Sequence, residues 1–370
     1  MNAQRTQTVK RKQAQRTIRT NLRDSFPTVE RPNQTYDRAD FVELISLATS
    51  RDQSLAMASQ THPGMPDSDT FHLRLKAAKP ADVFSAFQHC LDELWSLARA
   101  LHWLEEAVDV AIDRHNEPNY GEEQPYMVGM ERKAGTNRAH AYLSSQRLGE
   151  PRLTVDVQLL NALRHQTLAL ADLLKETLRR NPNLRSLLLD KGFYTLDDVQ
   201  LLLDTGKDFI VPVPKTKHLQ KVESELYRTR QRVGVSGRFI AWRRYRMGED
   251  HDGPEIVQVI RWEPDPEEPT GEAWFAYACR RETTVEEFDE WATRYRTRWG
   301  IETGYRTIEE LRRRTTSHRY SNRLYLTLAA ILLDVAWRLV RHARKRRGTP
   351  VLTWPRFQLE LEHEPTPITA

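Results

Sequence analysis

Between residues 107 and 214 the hydrophobic period switches repeatedly between two and about 3.6, and few folds accept that alternation. Val108, Val110 and Ile112 alternate with Asp109, Ala111 and Asp113, the spacing of a strand. Further strands are predicted at 125–131, 138–146 and 152–159. A helix over 161–180 must end before Asn181-Pro182, because the residue before a proline is steered out of the helical region. Residues 186–190 form an apolar strand that stops at Lys191-Gly192. Thr195, with Asp198 three residues on, opens the next helix, which ends at Gly206. Residues 208–213 make another strand, with Pro212 and Pro214 closing it. Strands alternating with helices argue for an α/β sheet.

The flanking segments differ. Residues 1–35 read as a disordered basic arm, with seven Lys and Arg and one acid, Asp24, in the first 24 positions. Residues 36–102 read as a helical domain. Phe41, Leu44, Ile45, Leu47 and Ala48 recur at helical spacing; 62–66 break the pattern; Asp67 or Ser68 caps a short helix; and Pro80 opens another carrying Phe84, Phe87, Leu91, Leu94 and Leu97. This bundle is either a helix-turn-helix-like DNA-binding unit or a plain helical cap on the next domain. Residues 215–280 read as an antiparallel β insertion, since their aromatic and β-branched runs are broken by Gly and Pro. The chain then turns helical to 347, and 348–370 form a tail.

Charge bears on the partner. The net charge is +5, but residues 294–347 alone hold 15 Lys and Arg against four acids. Two basic ends point to a polyanion, nucleic acid first; solvated basic faces are the bland alternative. Cys90 and Cys279 have no Cys or His at ligand spacing, which argues against a zinc site or a disulfide framework and fits a reducing cytoplasm. The N-terminus has no secretory pattern. The most apolar stretch, 324–340, contains Asp334 and Arg338, so a buried helix is expected there and no membrane partner.

Asp113 ends an alternating strand and Asp190 an apolar one, and strand ends are where ligands gather in open α/β sheets. An isolated strand-end Asp is more often a turn or capping residue. Thr284 and Glu287 form a capping box for a helix starting near Val285. Tyr295, Arg298 and Glu302, spaced by three and four, then share one helical face, and Trp299 and Ile301 beside them suggest that the helix is partly buried. Clustered carboxylates on rigid elements are what hard divalent ions need, and a pair of ions about 3.5–4 Å apart can drive phosphodiester displacement. Asp109 ranks behind Asp113; Asp156 is expected to face solvent; His115 lacks a partner for metal ligation.

The run from Tyr295 through Arg298 and Glu302 to Tyr305 and Arg306 resembles the Tyr-x2-Arg-x3-Glu-x6-Lys motif of insertion-sequence transposases of the DDE type, closest to archaeal members. The text around Asp113, Pro118, Tyr120 and Gly121 resembles that family's first Asp motif; Asp190 with Gly192, Phe193 and Tyr194 resembles the second. Gly135-Thr136 and Arg152-Leu153-Thr154 are similar to the family as well. The resemblance spans roughly residues 100–345 and departs at one position, Glu309, where the family has a Lys thought to meet DNA phosphate.

The resemblance implies a ribonuclease H-like catalytic core over 103–214 and 281–347, interrupted by the β insertion. It implies Asp113, Asp190 and Glu302 as catalytic and metal-binding residues, with two Mg²⁺ ions that Mn²⁺ can replace. DNA contacts are expected from Tyr295, Arg298, Arg306, Arg312 and Arg313, and Trp274 either stacks on an extruded base or packs in the β core. The expected partners are double-stranded DNA, as transposon terminal inverted repeats and as target, and a second copy of the chain in the DNA complex, at the nucleoid of a prokaryotic cytoplasm. The expected reaction is cleavage at transposon ends and strand transfer. The alternatives are an inactive DNA-binding derivative, which Glu309 keeps open, a hydrolysis-only nuclease of the same fold, and a glycosidase with two carboxylates, which leaves the basic segments unexplained.

Overall fold

The computed structural model describes residues 18, 20–27, 34–123, 126–133, 135–313, 315, 317, 319–346, 353 and 357. Four helices lead: α1 (Arg38–Ser50), α2 (Leu55–Thr61), α3 (Ser68–Lys76) and α4 (Pro80–Ala100). Asp37 and Asp67 cap α1 and α3 by accepting backbone N–H groups, and Pro80 sits in the first turn of α4, where its missing N–H is not needed.

The strands β1 (Val108–Pro118), β2 (Val128–Lys133), β3 (Thr136–Arg147), β4 (Leu153–Leu160), β5 (Leu184–Leu189) and β6 (Asp208–Pro212) carry helices α5 (Gln166–Arg180) and α6 (Leu196–Asp204) between them. Helix α7 (Lys217–Leu226) precedes β7 (Gln231–Val233), β8 (Arg238–Arg246), β9 (Glu255–Pro264) and β10 (Glu272–Cys279). Then come α8 (Val285–Tyr295), α9 (Gly300–Leu311) and α10 (Tyr320–Lys345). The ten described strands form one mixed sheet in the order β2-β3-β1-β5-β6-β10-β9-β8-β7, with β4 paired to β3. β1, β5 and β6 are parallel, and the other pairings are antiparallel.

The segment 215–280 holds the expected antiparallel strands, but they extend the main sheet through the β6–β10 pairing. It also contains α7, which the strand reading overlooked. Thr216 caps this helix by accepting from Leu219 N–H, and Leu219 and Val222 bury one face of it. One apolar core runs from Phe41 and Leu91 through Val155 and Leu189 to Leu332, so the leading helices pack into the sheet's own core. Trp95 Nε1–H donates to Thr154 O at 3.0 Å, which ties α4 to β4. A second cluster, with Leu188, Ile210, Val257, Phe288 and Trp291, covers the opposite sheet face beneath α8.

Two expectations near the termini need correction. Ile18, Leu22 and Phe26 fall inside the stretch read as a disordered arm, yet all three are buried in the core, with Phe26 stacked 4.6 Å from Phe41. Their i, i+4, i+8 spacing makes an apolar stripe that the many basic neighbours obscure. Phe357 is likewise buried, inside the span read as a tail. Of the two segments, residues 1–17, 19, 28–33, 348–352, 354–356 and 358–370 lie outside the described residues. α10 carries the apolar stretch 324–340, packs on α4, and buries Asp334 against Arg338 at 2.7 Å. Among the described residues no helix is long and apolar enough to cross a membrane.

Candidate active site

β1 is the edge of the parallel region, with antiparallel β3 on one side and parallel β5 on the other. Its residues 108–112 are buried, and exposure begins at Asp113. An ionised carboxylate cannot be held inside an apolar sheet without a partner. Asp113 therefore stands at the first position where the strand leaves the core. β5 reaches its own end beside it: Ile112 pairs with Leu189, so Asp113 and Asp190 are the next residues on adjacent parallel strands. Neighbouring strands lie about 4.8 Å apart. Asp190 leads into the 3-10 turn Lys191–Phe193 but makes no side-chain cap bond to it, so capping does not account for its carboxylate.

Thr284 caps α8 as expected, and the helix then breaks. Residues Arg296–Trp299 form a 3-10 turn before α9, so Tyr295, Arg298 and Glu302 are not on one continuous α-helix. The turn aims them together nonetheless. Tyr295 OH donates to Leu189 O at 3.0 Å, one residue before Asp190. Burial pushes the Tyr295 phenol further up, so it stays a neutral donor. Arg298 Nη1 donates to Asp113 Oδ2 at 3.1 Å, and its Nη2 lies 3.5 Å from Glu302 Oε1. The guanidinium thus links two of the three acids, while the Glu302 side chain remains 55% exposed. Among the described residues no three acidic, His or Cys side chains close into a metal-holding group.

Burial pushes the Asp113 carboxyl up to about 6, opposed by Arg298 and the Arg114 amide and reinforced by Asp190 and Glu302. Arg114 N–H donates to Asp113 Oδ1 at 2.8 Å. Asp190 and Glu302 therefore both act on the charge of Asp113. Oxygen donors crowded in this way suit a hard divalent cation, which would relieve their mutual repulsion.

Other expected residues are distributed differently. Asp109 is occupied by Arg185 at 3.0 Å and Ser186 at 2.6 Å, so it serves packing. Asp156, expected at the surface, is fully buried against Arg180 at 2.5 Å, Gln88 and Gln158. Its strand lies beneath α4, which the alternation of β4 alone does not reveal. Trp299, expected to help bury the helix, is 69% exposed because the 3-10 turn rotates it outward; Ile301 is buried. Arg306 is exposed on α9. Arg312 pairs with Glu117 at 2.5 Å. Arg313 turns inward: it is buried and donates to Ala48 O, Asp52 and Leu311 O. Trp274 is half-buried on β10, with Lys215 Nζ 4.4 Å from its ring centroid.

Tyr305 was quoted in the motif without a role. It is half-buried, and its hydroxyl donates to Asp113 O at 3.1 Å with Ser144 Oγ 2.7 Å away. Its place one turn after Glu302 is the signal that could have found it. Gly304 is needed for this close fit, since a Cβ there would lie 2.3 Å from Gln146 Nε2.

Residues 110–333 match the transposase DDE domain family. Among solved structures, the chain is similar to a piggyBac transposase in a synaptic complex with hairpin DNA, seen by cryo-electron microscopy. The TM-score is 0.58 at 14% identity, over 92% of this chain and 74% of that one. The likeness is in the fold, a mixed α/β arrangement of the ribonuclease H-like DDE type with a large mixed sheet. No curated protein matches.

Proposed function

We propose a site for a chain that belongs to the transposase DDE domain family and works in transposition by metal-dependent DNA cleavage and strand transfer: Asp113, Asp190 and Glu302 are its catalytic carboxylates. The observation that carries this is the register of β1 and β5, which sets Asp113 and Asp190 side by side, with Glu302 joined to Asp113 through Arg298.

Asp113 and Asp190 would hold two Mg²⁺ ions, or Mn²⁺ in their place, and Glu302 would complete the set by rotation of its exposed side chain. When bound, such ions supply activation of the attacking oxygen and stabilisation of the leaving oxygen. The chain's own residues do the rest. Tyr295 holds the end of β5, and with it Asp190, in place. Arg298 offers a rigid fork that can bond a phosphate, and its Nε has no partner among the described residues. Arg306, exposed on α9, would neutralise a DNA phosphate without reading sequence. Trp274, with one face under Lys215, offers a stacking surface for a base. The leading helices would grip the terminal repeats, and two copies would act together so that both ends are cut.

Asp190→Asn and Glu302→Gln, purified and assayed with Mg²⁺ on an end-containing duplex, should retain end binding and lose nicking to background. Cleavage retained by either variant refutes the assignment. A strand-joining assay on the wild type separates transfer from hydrolysis alone.

A further inference from the structure

The residue that departs from the family motif, Glu309, makes a contact of its own. On β1, Asp113, His115 and Glu117 alternate along one strand face, and each meets α9 or its C-cap residue, Arg312. Tyr305 OH donates to Asp113 O at 3.1 Å. His115 Nε2 lies 3.5 Å from Glu309 Oε1. Arg312 Nη1 lies 2.5 Å from Glu117 Oε1. The two spacings are close: every second residue of a strand advances roughly 6.7 Å, and every third or fourth residue of a helix about 4.5–6 Å. Successive same-face positions of α9 can therefore track successive same-face positions of β1.

His115 is not free to swing away from this seam. Its ring sits 4.7 Å from Tyr305 and 5.2 Å from Tyr142. Glu117 also accepts from Thr327 of α10 at 3.4 Å, which fixes its carboxylate for Arg312. A lysine at 309 would point a cation at His115 and stand three residues before Arg312, the C-cap residue of α9. Both acids at the neighbouring seam positions are already engaged, Asp113 by Arg298 and Glu117 by Arg312.

We infer that Glu309 and Arg312 are positioning residues: they fasten α9 along β1 and so fix where Glu302 stands relative to Asp113. The acid at 309 is then a working part of this chain and not a lost phosphate contact. This rests on the reading of Asp113, Asp190 and Glu302 as the metal-binding acids.

The test measures Mn²⁺ binding to the full-length protein by calorimetry, beside the Mg²⁺ dependence of nicking. Glu309 is more than half exposed, so Glu309→Lys should fold. It should weaken Mn²⁺ binding and raise the Mg²⁺ concentration for half-maximal nicking by about fivefold, the scale of a partly exposed charge contact. Arg312→Glu should do the same or more, and the exchange Glu117→Arg with Arg312→Glu should recover most of the loss. Unaltered or tighter Mn²⁺ binding in Glu309→Lys, with equal or faster nicking, would overturn the inference and restore the lost-contact view. An exchange that recovers nothing would remove Arg312 from it. Glu302→Gln in the same series separates the two levels: if it still nicks, the site assignment itself fails, whatever Glu309→Lys does.

Discussion

Gly304→Ala probes how tightly α9 is set against the sheet. Within an α-helix this change alone should stabilise by up to about 1 kcal/mol, since alanine loses less backbone freedom than glycine. The structure predicts the opposite. The added Cβ would sit 2.3 Å from Gln146 Nε2, 2.7 Å from Oε1 and 2.9 Å from Cδ. Carbon contacts settle near 3.5–4.0 Å, so either Gln146 or α9 must move by about 1 Å. Gln146 is only 3% exposed. The cavity beside it, of about 10 Å³, is too small for a displaced carboxamide. Overpacking of this kind costs about 1–3 kcal/mol, which outweighs the propensity gain and leaves a net loss of about 1 kcal/mol. The larger effect should be on catalysis, because Glu302 lies two residues away and a 1 Å misplacement can lower a rate by about a hundredfold. Urea unfolding and nicking rates should be measured for Gly304→Ala, Gln146→Ala and the double variant. Truncating Gln146 makes room for the new methyl, so the double variant should show a coupling of about 1 kcal/mol or more and recover nicking. A Gly304→Ala protein that is more stable than wild type and nicks normally would refute the close-contact reasoning.

Other changes follow from the same geometry. Tyr305→Phe removes the hydroxyl that serves Asp113 O and should cost about 1–3 kcal/mol in urea unfolding, with nicking reduced; an unchanged midpoint would show that the bond is replaced. Arg180→Met strands the fully buried Asp156 and should cost about 3–5 kcal/mol, whereas adding Asp156→Leu should return most of it; equal losses in both proteins would contradict the pairing. Asp113 titrates near 6 in the folded chain and near 3.8 when unfolded, so its contribution to stability is full below about pH 4 and is lost as pH rises through about 6. Cation binding must displace that proton. Calorimetry at pH 5.5 in buffers of different ionisation enthalpy should show release of roughly three-quarters of a proton, falling toward zero by pH 8. Proton-independent binding at pH 5.5 would remove Asp113 from the site.

Periodicity alone determined much of this protein. The strand containing Asp113, the strand before Asp190, the capped helices opening at Ser68, Pro80, Leu196 and Val285, and the buried helix over 324–340 all rest on repeats of two to four residues, which the local chain carries in full. Tertiary structure decided the rest. Only the parallel register of β1 on β5 sets Asp113 beside Asp190, and register depends on strands 77 residues apart in sequence burying their faces together. The fates of the arginines were not legible for a related reason. Arg298, Arg306, Arg312 and Arg313 look alike in a basic run, yet one bridges Asp113 and Glu302, one faces solvent, one pairs with Glu117 of β1 and one is buried among backbone carbonyls. A long flexible side chain takes whichever unpaired acceptor the packed core leaves within reach, and that is settled by neighbours distant in sequence. The same holds for Ile18, Leu22 and Phe26, whose apolar stripe acquires a partner only when Phe41 and Tyr325 come together to receive it.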